Sequence, residues 1–200
     1  MTRLVSRLGP LAVALALAAG AHAAAPADMS LGNFRAPVTV IEYASIGCPH
    51  CGAWARDVFP EFKRRFIDTG RVRFVLREVL FGDPDVAAAG FLTARCAGDA
   101  KYFQVVEGLF AAQPRMAADG DDLPALLDVA AAAGLSKAQV SACLADHDAL
   151  TALEARSDGY VRDDHVEATP TFDIADKRLT GEQSLADLTT AIAAARHRPR

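Results

Sequence analysis

Apolar positions along this chain change their spacing several times, and each change marks an element. Val38-Thr39-Val40-Ile41-Glu42-Tyr43-Ala44 is rich in β-branched residues and nearly continuous in its apolar character, which predicts a buried strand. Residues 48–69 carry Val58, Phe59, Phe62 and Phe66 as a helical stripe. Pro49 suits the first turn of that helix, where a backbone N–H has no partner to lose, and Gly70 suits its cap. Pro60 falls inside the pattern and predicts a kink or break near Phe59. Residues 72–80 read as a second strand, apolar apart from Arg73, Arg77 and Glu78. Strand, helix and strand in this order predict a right-handed crossover and a parallel pair.

From residue 83 to about 167 no strand pattern is visible. The stretch is rich in alanine and leucine at helical spacing, punctuated by Gly98, Pro114, Gly120 and Gly134, and predicts four or five helices. Residues 171–174 and 178–180 then predict a strand pair around a turn at 175–177. Ser184 can cap a last helix over 185–195. Residues 24–36 are expected to form a short, loosely ordered arm, and 196–200 a frayed basic tail. The order is β-α-β, a helical block, then β-β-α, an α/β arrangement with an inserted all-helical part.

The first residues follow another logic. Arg3 and Arg7 precede an apolar run from Leu8 to Ala21, and Ala21-His22-Ala23 fits the small-x-small rule of a signal peptide. A cut after Ala23 is expected, with Ala24 and Ala25 as neighbouring alternatives. The run is short and alanine-rich for a membrane span, which takes ~20 residues. A secretory signal places the cysteines where disulfides persist, so the periplasm is the expected compartment. Cleavage removes two arginines and no acid, which takes the net charge from −4 to −6. That charge leaves no basic footprint for nucleic acid. At 200 residues, 52% of them hydrophobic, the chain can bury one core with a sub-domain inserted.

The candidate chemistry is Cys48-Pro49-His50-Cys51. Two cysteines three apart at a helix start are close enough to bridge, and the first faces outward-pointing N–H groups that stabilise an anion. Cys48 should therefore ionise below the ~8.5 of a free thiol, and the thiolate is the attacking species in exchange. Cys51 lies a turn deeper and resolves the mixed disulfide. Pro49 sets the turn. His50 can donate a hydrogen bond to the Cys48 sulfur or carry positive charge near it. Both favour the reduced form, which makes the disulfide form a stronger oxidant. A Cys-x-x-Cys can also be half of a zinc site, but Cys96 and Cys143 lie too far apart to supply the second pair.

The strand followed by Cys48-Pro49-His50-Cys51, with a helical block before Thr169-Pro170, resembles the DsbA family of periplasmic disulfide oxidoreductases. The resemblance covers residues 36–195. It implies a thioredoxin fold made of residues 37–82 and 168–196, with 83–167 as the inserted helical sub-domain. It implies a cis bond before Pro170, facing the cysteines, with the Thr169 backbone able to pair with a bound peptide. It also implies that Glu42 is a buried acid of raised pKa that takes the Cys51 proton. Ala168, before Thr169, offers no glycine freedom in that loop.

Four cysteines allow three pairings. With Cys48 and Cys51 as the redox pair, Cys96 and Cys143 are expected to bridge as a structural disulfide, as a second disulfide does in some members of the family. The alternative is two buried free thiols. The expected activity is disulfide donation to reduced secreted polypeptides by a monomer without cofactor or metal. The resemblance implies reoxidation by a quinone-linked membrane protein of the DsbB type. The alternatives are a reductase or isomerase of the same fold, or a non-enzymatic module binding metal or peptide. The short arm leaves no room for an N-terminal dimerisation module, which weighs against an isomerase.

Overall fold

The computed structural model describes residues 28–196, so the expected signal sequence and the expected cut after Ala23 lie outside the described residues. Five strands form one mixed sheet in the order β1-β3-β2-β4-β5. At its centre β2 (Val38–Ala44) runs parallel to β3 (Val72–Glu78), with Glu42 opposite Leu76. On its other side β2 pairs antiparallel with β4 (Thr171–Ile174), which puts Phe172 beside Glu42, and β5 (Lys177–Thr180) closes that edge. This is the thioredoxin fold.

The arm expected to be loose is partly a strand. β1 (Met29–Leu31) lies antiparallel on β3, with Ser30 opposite Val75. Three residues carry little pattern of their own, and the partner's free edge supplies the hydrogen bonds. β3 ends at Glu78 rather than at residue 80.

The helix after the cysteines is α1 (Pro49–Asp57), broken at Val58 and resumed as α2 (Phe59–Phe62). Pro60 has no N–H to give the preceding turn, which accounts for the break. A wider π-type turn at Lys63–Ile67 then leads to Gly70, whose φ of +71° lets the chain reverse. Trp54 of α1 stands in the aromatic core, its ring 4.7 Å from Phe172 and stacked on Phe74.

Between β3 and β4 come α3 (Pro84–Cys96), α4 (Asp99–Asp119), α5 (Leu123–Ala132), α6 (Lys137–Leu144) and α7 (His147–Asp163). The chain ends in α8 (Leu185–Arg196), where the Ser184 hydroxyl accepts the Asp187 N–H as a cap. Pro114 was expected to punctuate the block, yet α4 runs straight through it. The proline frees the carbonyl of Phe110 four residues back, and Arg56 of α1 donates Nη1 to that oxygen at 2.8 Å. A guanidinium from the neighbouring helix thus satisfies the acceptor that the proline leaves open.

Glu78 ties the helical block to the sheet. Its carboxylate is buried and accepts from Arg95 Nε of α3 at 2.8 Å, Tyr102 of α4 at 2.8 Å and Arg156 Nη2 of α7 at 2.7 Å. A buried carboxylate with two guanidiniums and a phenol is fully paired, whereas removing one side would leave an uncompensated charge. In the sequence Glu78 is only a polar interruption of a strand. Cys96 at the end of α3 and Cys143 in α6 are joined by a disulfide, with their Cα atoms 6.3 Å apart.

Candidate active site

The strand β2 runs out at Ala44, and the chain turns through Ser45, Ile46 and Gly47 into the start of α1. Cys48 is the N-cap residue, in extended conformation, and Pro49 follows in the first turn. Two other segments meet this turn. The loop before α3 approaches so closely that Asp83 donates its N–H to the Gly47 carbonyl at 3.1 Å, and a side chain at position 47 would strike the Asp83 backbone. From α4, Gln113 donates Nε2 to the carbonyls of Ile46, at 2.7 Å, and Cys48, at 3.0 Å. Gly52 leaves the room that Gln113 occupies.

Cys48 and Cys51 are free thiols with different surroundings. Cys48 keeps 7% of its surface, while Cys51 has none. The Cys48 thiol is pulled down to about 5, chiefly by the hydrogen bond from the Cys51 thiol. Burial opposes this, and the Thr169 side chain and the backbone N–H groups of Cys51 and His50 add to it. Burial pushes Cys51 well up, reinforced by the Cys48 hydrogen bond and by the charges of Glu42 and Cys48; the Ser45 N–H, 3.5 Å from its sulfur, pulls the other way. One sulfur is thus prepared to be a thiolate at neutral pH and the other to remain a thiol.

The Thr169–Pro170 bond is cis. It turns the Thr169 carbonyl toward the cysteines, 3.3 Å from the Cys48 sulfur. The loop is fastened at both ends. Thr171 Oγ1 donates to the Ala168 carbonyl at 2.7 Å, and the Gly181 N–H donates to the Pro170 carbonyl at 2.8 Å.

Glu42 is 3% exposed, inside β2 and on the Cys51 side of the sheet's centre. Burial, and secondly the Cys48 charge, raise its carboxyl well above the usual range. Its Oε1 has no hydrogen-bond partner among the described residues.

Of the two roles expected of His50, the ring hydrogen bond to the Cys48 sulfur is absent and the nearby charge is present. Its ring is exposed and pairs through Nδ1 with Glu182 Oε1 at 2.6 Å, so what it gives Cys48 is its backbone N–H and its charge. The Glu182 hydrogen bond raises the imidazole above its ordinary value. Replacing Glu182 by glutamine is expected to lower the His50 pKa and to raise that of Cys48 modestly; an ultraviolet titration of the Cys48 thiolate checks this, and an unchanged thiolate titration would refute it.

Gln113, Glu182 and Ser45 carry no motif in the sequence; the fold brings Gln113 to the Cys48 carbonyl and Glu182 to His50. Among the described residues, no three histidines, cysteines or acids are placed to hold a metal, and no helix is long and apolar enough to cross a membrane.

The thioredoxin family model matches residues 24–194. A Rickettsia conorii chain named as a protein-disulfide oxidoreductase is 32% identical over 167 residues, covering 82% of this chain and 59% of that one. This chain thus spans little more than half the length of that relative. Bacillus subtilis disulfide bond formation protein D is 43% identical over 51 residues, 26% of this chain and 23% of that one. Among solved structures, Wolbachia pipientis alpha-DsbA1 superposes with a TM-score of 0.77 at 25% identity, over 86% of this chain and 92% of that one. Bacillus subtilis BdbD superposes with a TM-score of 0.72 at 22% identity, over 86% and 94%. A match to the family model along most of the chain, with a thioredoxin sheet around a Cys-x-x-Cys and a cis-proline, means that the chain belongs to the thioredoxin family, on its DsbA-like branch.

Proposed function

We propose that this chain is a periplasmic protein thiol–disulfide oxidoreductase that donates the Cys48–Cys51 disulfide to reduced secreted polypeptides. The observation that carries the reading is the asymmetry of the two sulfurs. A substrate thiolate attacks the Cys48 sulfur, the Cys48–Cys51 bond breaks, and Cys51 leaves as a thiolate that takes the Glu42 proton. The substrate's second thiolate then attacks the substrate sulfur of the mixed disulfide. Cys48 leaves as a thiolate, and its low pKa makes it a good leaving group. Two electrons have passed from substrate to the pair, with no cofactor. The Thr169 backbone faces the sulfur, where an extended peptide can pair with it. An open cleft of about 480 Å³, lined by Pro49, Asp83 and Gln113, lies beside the start of α1. Reoxidation then requires an electron acceptor, and the resemblance to DsbA points to a quinone-linked membrane protein of the DsbB type.

The thiolate supports this direction. Against an ordinary thiol near 9, a pKa of about 5 stabilises the reduced form at pH 7 by roughly 3 kcal/mol, which raises the potential by roughly 60 mV. The sign is that of a depressed acid. The stabilisation is complete above the ordinary thiol pKa, partial at pH 7, and lost as pH falls through about 5. The potential is therefore expected to fall by roughly 30 mV per pH unit above that point, where one proton accompanies two electrons, and by roughly 60 mV below it. Redox titration against glutathione from pH 4 to 8, together with oxidation of a reduced dithiol peptide, tests the reading. A potential near the roughly −270 mV of thioredoxin would overturn disulfide donation in favour of reduction.

A further inference from the structure

A small, partly open cavity is lined by Glu42, by Trp54 of α1 and by residues of α4. It offers about 20 Å³ to a water-sized occupant, which is room for about one molecule. Two buried polar atoms without a partner belong to its lining residues, Oε1 of Glu42 and the indole Nε1 of Trp54. An unpaired buried acceptor and an unpaired buried donor on two residues that line one cavity suit a bound water. The third polar lining residue is Glu107, on α4 of the helical block, whose side chain is exposed at the surface. The remaining walls are aliphatic and aromatic, Phe59, Phe74, Phe103 and Phe110 among them, so Glu42 and Glu107 are the two acids that line this cavity.

We propose that this cavity holds a water connecting Glu42 to Glu107, and that Glu107 is the port through which the proton of the Cys51 step enters and leaves. The inference rests on the thiol–disulfide reading above. When Cys51 leaves as a thiolate, the Glu42 carboxyl gives it a proton. The carboxylate recovers one from the water, which takes one from Glu107, and bulk solvent reprotonates Glu107. When the pair is reoxidised, the same proton travels outward as Cys51 attacks the mixed disulfide. No electrons move along this path. Glu42 faces Cys48 and Cys51, and Glu107 faces Lys63 and Asp68. Partial burial raises the Glu107 carboxyl; Lys63 opposes that and Asp68 adds to it, which favours its holding a proton. Glu107 touches neither sulfur and acts through Glu42, so it is a supporting residue.

The test is stopped-flow reduction of the Cys48–Cys51 disulfide by a small dithiol, in the full chain and its Glu107→Gln, Glu107→Asp and Glu42→Gln variants. Glu107→Gln is expected to slow the step roughly tenfold. Small imidazole or acetate buffers should restore the rate, and Glu107→Asp should keep most of it. The Cys48 titration and the potential should not move, which a disturbed fold would not allow. In the unaltered protein, cross-relaxation between a long-lived water and the Trp54 indole proton is expected. A Glu107→Gln variant that matches the parent rate without buffer dependence overturns the port, as does a Trp54 indole that sees no water. An unaltered protein that fails to oxidise a reduced peptide overturns the oxidoreductase reading instead, so the two failures are distinct.

Discussion

Replacing Cys48 by serine is expected to bring catalysed oxidation of a reduced dithiol peptide down to the uncatalysed rate. The loss is complete because two requirements disappear together. A hydroxyl oxygen cannot form the disulfide that a substrate attacks. The remaining sulfur, Cys51, is fully buried and held well above the ordinary thiol range. It is therefore neither exposed nor ionised near neutrality, and it cannot take over. Cys51→Ser is expected to fail differently. Cys48 remains a thiolate at the mouth of the site and attacks a small disulfide, but nothing resolves the product, so a mixed disulfide on Cys48 accumulates. Intact-mass measurement after incubation with oxidised glutathione separates the cases: one adduct for Cys51→Ser and none for Cys48→Ser. A Cys48→Ser variant that still turns over the peptide would sink the assignment of roles.

The second large effect concerns stability. The Cys96–Cys143 bridge spans 47 residues, from the end of α3 to α6. In the chain-entropy account a loop of that length raises the unfolding free energy by about 4 kcal/mol. Cys96 is at the surface and Cys143 only half-buried, so alanine at both positions removes little packing and the measured change reports the cross-link. For a domain of this size such a loss lowers the melting temperature by roughly 10 °C. The midpoint of Cys48–Cys51 reduction should be the same in the double variant, because the bridge lies in the helical block and touches neither active sulfur. Unfolding by guanidinium, with the active pair held reduced in both proteins, checks this. A loss below about 1 kcal/mol would mean that the bridge does not act as a staple.

Much of the site is legible in the chain because it is local. The spacing of Cys48 and Cys51, Pro49 in a first turn, and a β-branched run ending just before them depend on neighbours in sequence. Such interactions follow from backbone propensity and periodicity. Thr169-Pro170 lies 121 residues from Cys48, and it was legible only through resemblance to a known family; its approach to the sulfur is a property of the folded chain. The supporting groups were not legible at all. Gln113 looks like one more polar position on a long helix, and Glu182 like a loop acid. Glu78 looks like a flaw in a strand until Arg95, Tyr102 and Arg156 arrive around it. Pro114 looks like a helix end, and Arg56 makes it a helix interior.

The order of strands and helices from β2 onward, the redox pair and the likeness to DsbA were determined by the sequence itself, since each rests on residues within a turn or a strand of one another, or on motifs readable in order. The tertiary structure decided which groups surround each sulfur. It buried Cys51 completely and left Cys48 a margin, paired His50 with Glu182 rather than with the thiol, and set a partly open cavity beside Glu42 and a carboxyl on an inserted helix. A thiol's pKa depends on burial and on charges within a few ångströms, and those distances exist only once segments far apart in sequence have packed together.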